Sequence, residues 1–465
     1  MNFTWLQDHA LVIAFYIGVA LLIYFNRKKF EFQGIVAILK TKLGIKQMQT
    51  FATPLTKKKD ELGKKIFTIS TILLTISIIT LLINTFFNIT NNYAILLIIS
   101  ATIIISFFTL CVALIFFRQI KPVGTLGIYI GFIGMAAMLS LMFAGLYQLI
   151  FIPTAPPMFA PVLPGISIPG SPFTLPLFEG LIALLIVVAI HEFAHGVVSK
   201  AYKIPIKSSG FVMFGPLPGA FVEPDEKKLN KAPAKTQLSI YAAGPMSNML
   251  LAGFIFILMI GIGFITVGLY EPAGVKIDGI IQGQNDTVQR GINQLEKGTI
   301  ITKINDEEIK TSYDLIVQLQ NYEPQDQLSF QTNNGQKNIT LGQDPQNESK
   351  PYMGIYLDNA IEGKTNLAKN KTFQTIYLWL MGNPYSNNLN NNLGVISLIF
   401  VLSFGIGLVN LLPAGPLDGG RMFMIALKQK YPEKKSTKIL NIITNTIFLL
   451  IIILIFVPII QAIFF

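Results

Sequence analysis

The chain has 465 residues, 52% of them hydrophobic and 13% charged, with a mean hydropathy of +0.55. Soluble globular domains carry about 25% charged residues, so this composition excludes an ordinary soluble protein and indicates a membrane protein. The net charge of +11 is concentrated beside apolar runs, which fits anionic lipid headgroups and argues against nucleic acid as a partner, and the single cysteine, Cys111, excludes a disulfide framework or a CxxC metal site.

Eight apolar runs approach or exceed the roughly 20 residues that a bilayer core requires. They cover residues 9–26, 66–88, 93–117, 125–151, 175–199, 237–269, 392–412 and 438–463. The first is followed by Arg27-Lys28-Lys29 with no small-residue cleavage site, and reads as a retained anchor. A short Asn-rich link, Asn88–Tyr93, makes the second and third an antiparallel pair. The fourth is rich in Gly, Ala and Met, which suits close helix packing. Residues 26–65 hold 11 Lys/Arg against 3 Asp/Glu, whereas 270–370 hold 9 against 14. By the positive-inside rule the former is cytoplasmic, and counting spans from it makes 270–370 extracytoplasmic.

The fifth run ends in His191-Glu192-Phe193-Ala194-His195. Residues four apart share a helix face, so His191 and His195 can hold one zinc ion, with Glu192 beside them to act on a water. The seventh run ends in Asn410-Leu411-Leu412-Pro413-Ala414-Gly415-Pro416-Leu417-Asp418-Gly419-Gly420. Ionisable groups at membrane depth are costly and imply function. The topology brings both motifs toward the cytoplasmic side. The only other histidine, His9, falls at the outer end of the first run, so an acidic residue must supply the third ligand. Asp418 is the best candidate. Glu179 lies 12 residues from His191, about 18 Å of helix rise, too far to reach the same ion.

Between the zinc run and the sixth run, residues 203–236 place several Gly and Pro among Phe211, Val212, Met213, Phe214 and Phe221. This is too broken for a helix and predicts a strand-like hairpin entering the membrane, whose edge would pair with an unwound substrate or simply fill space. Residues 270–365 change to short alternating runs with one amphipathic helix at Ser312–Leu319. The stretch Leu295-Glu296-Lys297-Gly298-Thr299-Ile300-Ile301-Thr302-Lys303-Ile304-Asn305, with Tyr313-Asp314-Leu315, resembles a PDZ domain. Asp278-Gly279-Ile280-Ile281 lacks the glycine-hydrophobic pattern of a carboxylate-binding loop, which leaves a steric filter and peptide capture both open and favours the filter.

His191–His195 in one span with Asn410, Pro413, Asp418 and Gly419 at the end of a later one resembles the site-2 protease family, with archaeal members most similar. Pro218-Gly219-Ala220-Phe221-Val222-Glu223-Pro224-Asp225-Glu226 is similar to a segment that follows the zinc helix in that family. The resemblance covers roughly residues 120–430. It implies an intramembrane zinc metalloprotease acting in regulated intramembrane proteolysis on single-span membrane proteins. The implied ligands to Zn2+ are His191, His195 and Asp418, with Glu192 as the catalytic base. Asn248 and Asn410 also match family positions. They would hydrogen-bond the substrate backbone or the oxyanion, although Asn also serves helix packing. Competing readings are another HExxH membrane protease and a non-proteolytic metal-binding or scaffold protein; the intact Glu192 opposes the scaffold.

The expected fold is therefore a polytopic α-helical membrane protein of about eight spans with a small α+β PDZ-like extracytoplasmic domain. Its divisions are a membrane extension with a basic cytoplasmic loop (1–119), a catalytic core in two parts (120–269 and 366–430) around the PDZ-like insert (270–365), and a last span (431–465). The expected setting is the plasma membrane of a prokaryote, with the active site toward the cytoplasm. The sequence leaves the oligomeric state open.

Overall fold

A computed structural model of the chain describes residues 10–464 except 35, 54–55, 88–92, 116–117, 153–156, 160–162, 169–170, 172–173, 216, 281–294, 345–346, 384 and 387–392. His9 and the Asn88–Asn92 link lie outside the described residues. Contacts divide the chain into two units, Met1–Leu258 with Leu398–Phe465, and Met259–Ser397.

All eight expected runs form helices: α1 (Ala10–Phe25), α3 (Lys57–Phe87), α4 (Tyr93–Ile115), α5 (Ile120–Phe151), α6 (Leu177–Ala201), α8 (Ala234–Leu269), α12 (Val395–Val409) and α14 (Glu433–Phe464). Among the described residues, five are long and apolar enough to cross a membrane: Lys58–Asn84, Ile120–Phe151, Leu177–Ala201, Ala234–Gly263 and Glu433–Gln461. Ala10–Phe25, Ile98–Leu114 and Val395–Val409 are apolar but shorter. The seventh run falls short of its expected end because α12 stops at Val409. Pro413 and Pro416 cannot supply ladder donors, and the chain turns through Asn410–Leu417 before α13 (Asp418–Lys430) begins. The protein is a multi-pass membrane protein.

In the first unit, α3 and α4 pack side by side, and Ser70 and Thr109 share a hydrogen bond of 2.7 Å between them. The expected hairpin is present as β3 (Ile206–Phe214) and β4 (Leu217–Pro224). It is half of a larger sheet. Strands β1 (Glu31–Gln33) and β2 (Val36–Thr41), from the basic loop, complete an antiparallel sheet in the order β1-β2-β3-β4. Gly210 makes this junction possible, since a Cβ there would lie 2.0 Å from the carbonyl oxygen of Leu39. The helix between, α2 (Ile45–Ala52), is amphipathic and buries Met48 beside Gly196 of α6, where any side chain would collide with the Met48 sulfur. The sequence reading set 1–119 apart from the catalytic core. In the structure residues 31–52 pack with the zinc helix and its hairpin: among the described residues β2 pairs with β1 and β3, and α2 packs on α6.

In the second unit, a sheet of order β12-β5-β6-β8-β9 carries β7 on β6, where β5 is Tyr270–Ile280, β6 Ile300–Ile304, β7 Glu307–Glu308, β8 Gln327–Thr332, β9 Gly335–Thr340 and β12 Ile355–Gly363. A separate pair, β10 (Gly342–Asp344) and β11 (Asn347–Tyr352), precedes β12. Helix α9 (Ser312–Leu319) is the expected amphipathic helix. It is opened by a capping box in which Thr311 and Asp314 exchange hydrogen bonds. Burial works against the charged form of Asp314, but hydrogen bonds from Thr311 and Lys310 outweigh it and hold the carboxyl below its usual range. Val275, Ile277, Ile301, Ile304, Leu315 and Phe330 are fully buried at the core. Asp278-Gly279-Ile280 lies on β5, an interior strand. The sheet's edge beside α9 is β12, reached through Met353 and Gly354, the glycine in the left-handed region at φ +65°. Asp278-Gly279-Ile280 is therefore not at the edge of the sheet; period-2 patterning alone does not tell an edge strand from its neighbour.

Candidate metal centre

Helix α6 is apolar along its length, and its last three turns carry His191, Glu192 and His195. Both imidazoles are buried, and their Nε2 atoms converge. His191 Nε2 and His195 Nε2 are 3.2 Å apart, and Asp418 Oδ2 lies 3.1 Å from the first and 3.3 Å from the second. Three tetrahedral ligands at the usual Zn–N and Zn–O distances are separated by about 3.3 Å. The triangle thus has the dimensions of a zinc site. Among the described residues it is the only cluster of three such ligands found.

The partners of the rings decide which nitrogen faces inward. His195 Nδ1 lies 2.7 Å from the carbonyl oxygen of Ile240 in α8, so it must donate, which leaves Nε2 with a free lone pair. His191 Nδ1 lies 3.1 Å from the side-chain amide of Asn248, whose Oδ1 is otherwise buried without a partner. Turning that amide by half a turn pairs Oδ1 with a His191 N–H and satisfies both groups. Two imidazole lone pairs and a carboxylate then face one another, a set suited to a metal cation.

The main chain around the triangle is built of small residues. A Cβ on Gly244 of α8 would lie 2.4 Å from both Nε2 atoms. Asp418 opens α13, and the helix start is folded back on the preceding turn, with Gly419 N donating to Asn410 O at 2.7 Å. A Cβ on Gly419 would stand 2.2 Å from the Leu411 oxygen, and one on Gly420 2.0 Å from the Ala414 oxygen. The two glycines after Asp418 are what allow its carboxylate to reach the imidazoles.

The triangle opens on a cleft of 780 Å³. Glu192 lies on its wall beside the triangle, with Oε2 accepting from Val222 N at 2.9 Å. Val222 sits on β4, the sheet's free edge, and its N–H points away from β3. Asn410 lines the cleft, whereas Asn248 is fully buried against His191. Glu179, in the first turn of α6, is absent from the cleft lining. The sequence reading missed Ile38 of β2, Tyr241 and Arg421, which also line it. Arg421 stacks over the Tyr241 ring at 5.4 Å and lies 3.9 Å from Glu226. Its spacing of three from Asp418, which puts both on one face of α13, was the available signal.

A family model described as peptidase family M50 matches residues 179–454, which is more than half of the chain and contains every residue of the triangle. The chain belongs to peptidase family M50, the site-2 proteases. An uncharacterised protein of Methanocaldococcus jannaschii is 28% identical over 53% of this chain and 56% of its own length. Zinc metalloprotease RasP of Shouchella clausii is 23% identical over 50% of this chain and 61% of its own. The chain thus spans somewhat over half the length of these relatives. The PDZ domain of an SdrC-like protein from Listeria monocytogenes is 23% identical, covering 18% of this chain and 87% of that domain, with a TM-score of 0.16. RasP is named a zinc metalloprotease, and the donor set of the triangle here and its spacing fit a zinc ion.

Proposed function

We propose that this M50 protein is an intramembrane endopeptidase that hydrolyses peptide bonds within the transmembrane segments of single-span membrane proteins. The reading rests chiefly on one observation: a triangle of two imidazoles and a carboxylate with 3.1–3.3 Å sides, with a carboxylate base beside it, carried by a helix apolar enough to span a bilayer. His191, His195 and Asp418 would hold Zn2+, which supplies Lewis acidity toward a water and the scissile carbonyl.

The chain's own groups do the rest. A substrate segment that unwinds in the membrane must have its backbone groups satisfied. The edge of β4 that lines the cleft offers a strand partner through the backbone groups beside Val222, whose own N–H is already donated to Glu192. Glu192 takes a proton from the attacking water and delivers it to the leaving nitrogen. Its hydrogen bond from Val222 aims the carboxylate and couples the base to the strand that holds the substrate. Asn410, on the cleft wall, contacts the substrate backbone or the oxyanion. Asn248 keeps His191 in the ligating tautomer, a positioning role in place of the substrate contact expected from the sequence.

The charge of the flanking loops supports a site that faces the cytoplasm, and the proposed setting is the plasma membrane of a prokaryote. The insert is PDZ-like and extracytoplasmic, and limits access for substrates with bulky outer domains. Peptide addition to β12, the end strand of the sheet beside α9, is the second reading.

Removing zinc with a membrane-permeant chelator should reduce cleavage of a reconstituted single-span substrate to background, and added Zn2+ should restore it. Full cleavage by protein shown to be free of metal would refute the zinc-peptidase reading.

A further inference from the structure

The zinc helix has a second lined face. Opposite the cleft, α6 contributes Ile190, Phe193, Ala194 and Val197 to a half-open cavity of about 260 Å³ bounded also by α2, α4, α5 and α8. Among the described residues its only polar lining residue is Ser247, whose Oγ already donates to Gly244 O at 2.7 Å. An apolar void of about 150 Å³ stays dry and accepts benzene, so this larger one calls for hydrocarbon. It is separate from the metal cleft: the two share no lining residue.

One end of the cavity is basic. Phe51 of α2 closes it by an edge-to-face contact with Phe193, ring centroids 5.8 Å apart. Ile120, the first residue of α5, lines it, with Lys121 next to it and Arg118 two residues before it. Arg118 Nη1 donates to Thr53 O at 3.2 Å, which ties the end of α2 to the start of α5. Lys121 is exposed and stands over the Tyr202 ring at 5.4 Å. Lys46, also exposed, is on α2 one turn before Phe51. Within this cluster Arg118 makes no ion pair, nor do Lys121 and Lys46, among the described residues.

An apolar slot that ends at a group of unneutralised cations has the polarity of one molecule type. We infer that the cavity is a binding site for an anionic phospholipid, with an acyl chain against α6 and the phosphate at Arg118 and Lys121. Charge complementarity selects an anionic over a zwitterionic headgroup, and the absence of a polar lining rules out a free phosphate reaching inside. The bound chain braces the helix face next to His195, so the lipid acts as a structural cofactor of the zinc helix. This inference does not depend on the proposed peptidase activity.

The test uses delipidated full-length protein in micelles, titrated with dioleoylphosphatidylglycerol or dioleoylphosphatidylcholine and read by native mass spectrometry. Wild type should retain one phosphatidylglycerol in preference to phosphatidylcholine. Arg118→Gln/Lys121→Gln should lower that preference by about 30-fold, from two cations near a headgroup. Ala194→Phe and Val197→Trp, which fill the slot, should abolish the single retained lipid, with zinc content checked to confirm the fold. Equal retention of both lipids by wild type overturns the inference, as does unchanged retention in a zinc-replete filled variant. If both filling variants lose zinc, the charge variant decides, and an unaltered preference there overturns it.

Discussion

Glu192→Gln should retain a full complement of zinc and lose turnover by about a thousandfold, within the range of general acid–base catalysis. The substitution is nearly isosteric. The amide oxygen can still accept from Val222 N–H, which Glu192 now does at 2.9 Å, so the β4 contact survives. The three ligand side chains are untouched. What disappears is the group that accepts the proton of the attacking water. Metal analysis and initial rates on the same preparation separate the two effects. Zinc lost together with activity would mean that Glu192 supports the ligand set, and activity retained would remove it from the chemistry.

Gly244→Ala should abolish zinc binding without touching a ligand. Its methyl would stand 2.4 Å from both His191 Nε2 and His195 Nε2, in the space on which the donor atoms converge. The rings have little room to retreat, since His195 is tied to Ile240 and His191 to Asn248. Alanine is otherwise favoured over glycine in a helix by about 1 kcal/mol, so loss of metal would not come from weakened helix propensity. The check is zinc content beside thermal stability of the metal-free forms of both proteins. A zinc-replete Gly244→Ala protein would place the ion elsewhere.

How much of this was legible in the sequence depends on the range of each signal. The His191/His195 pair is local, four residues apart on one helix, and could be read directly. Asp418 required joining two segments more than 220 residues apart. It was reachable because ionisable groups at the ends of apolar runs are few and the charge of the loops set both runs to one depth. The β3–β4 hairpin showed in its glycines and prolines. Its partner β2 did not, because Val36–Thr41 is short and its pairing with Ser209–Phe214 crosses some 170 residues of chain. Nothing in the residues of one strand specifies a partner so remote. Gly244 was invisible for a similar reason: a glycine in an apolar helix has many uses, and only the position of two distant imidazoles gives this one its meaning. Asn248 was singled out correctly as a buried amide, but its neighbour could not be known. The same holds for α12, whose early end at Val409 follows from the Pro-containing turn that delivers Asp418.

The central claim is that a peptide bond is cut inside the bilayer. The most direct measurement is mass-spectrometric mapping of the new termini produced when the purified chain and a single-span substrate are reconstituted together in vesicles. New termini within the apolar segment are expected with the zinc-loaded wild type and are absent with Glu192→Gln. A cut confined to the soluble flanks, or an identical product from Glu192→Gln, would contradict it.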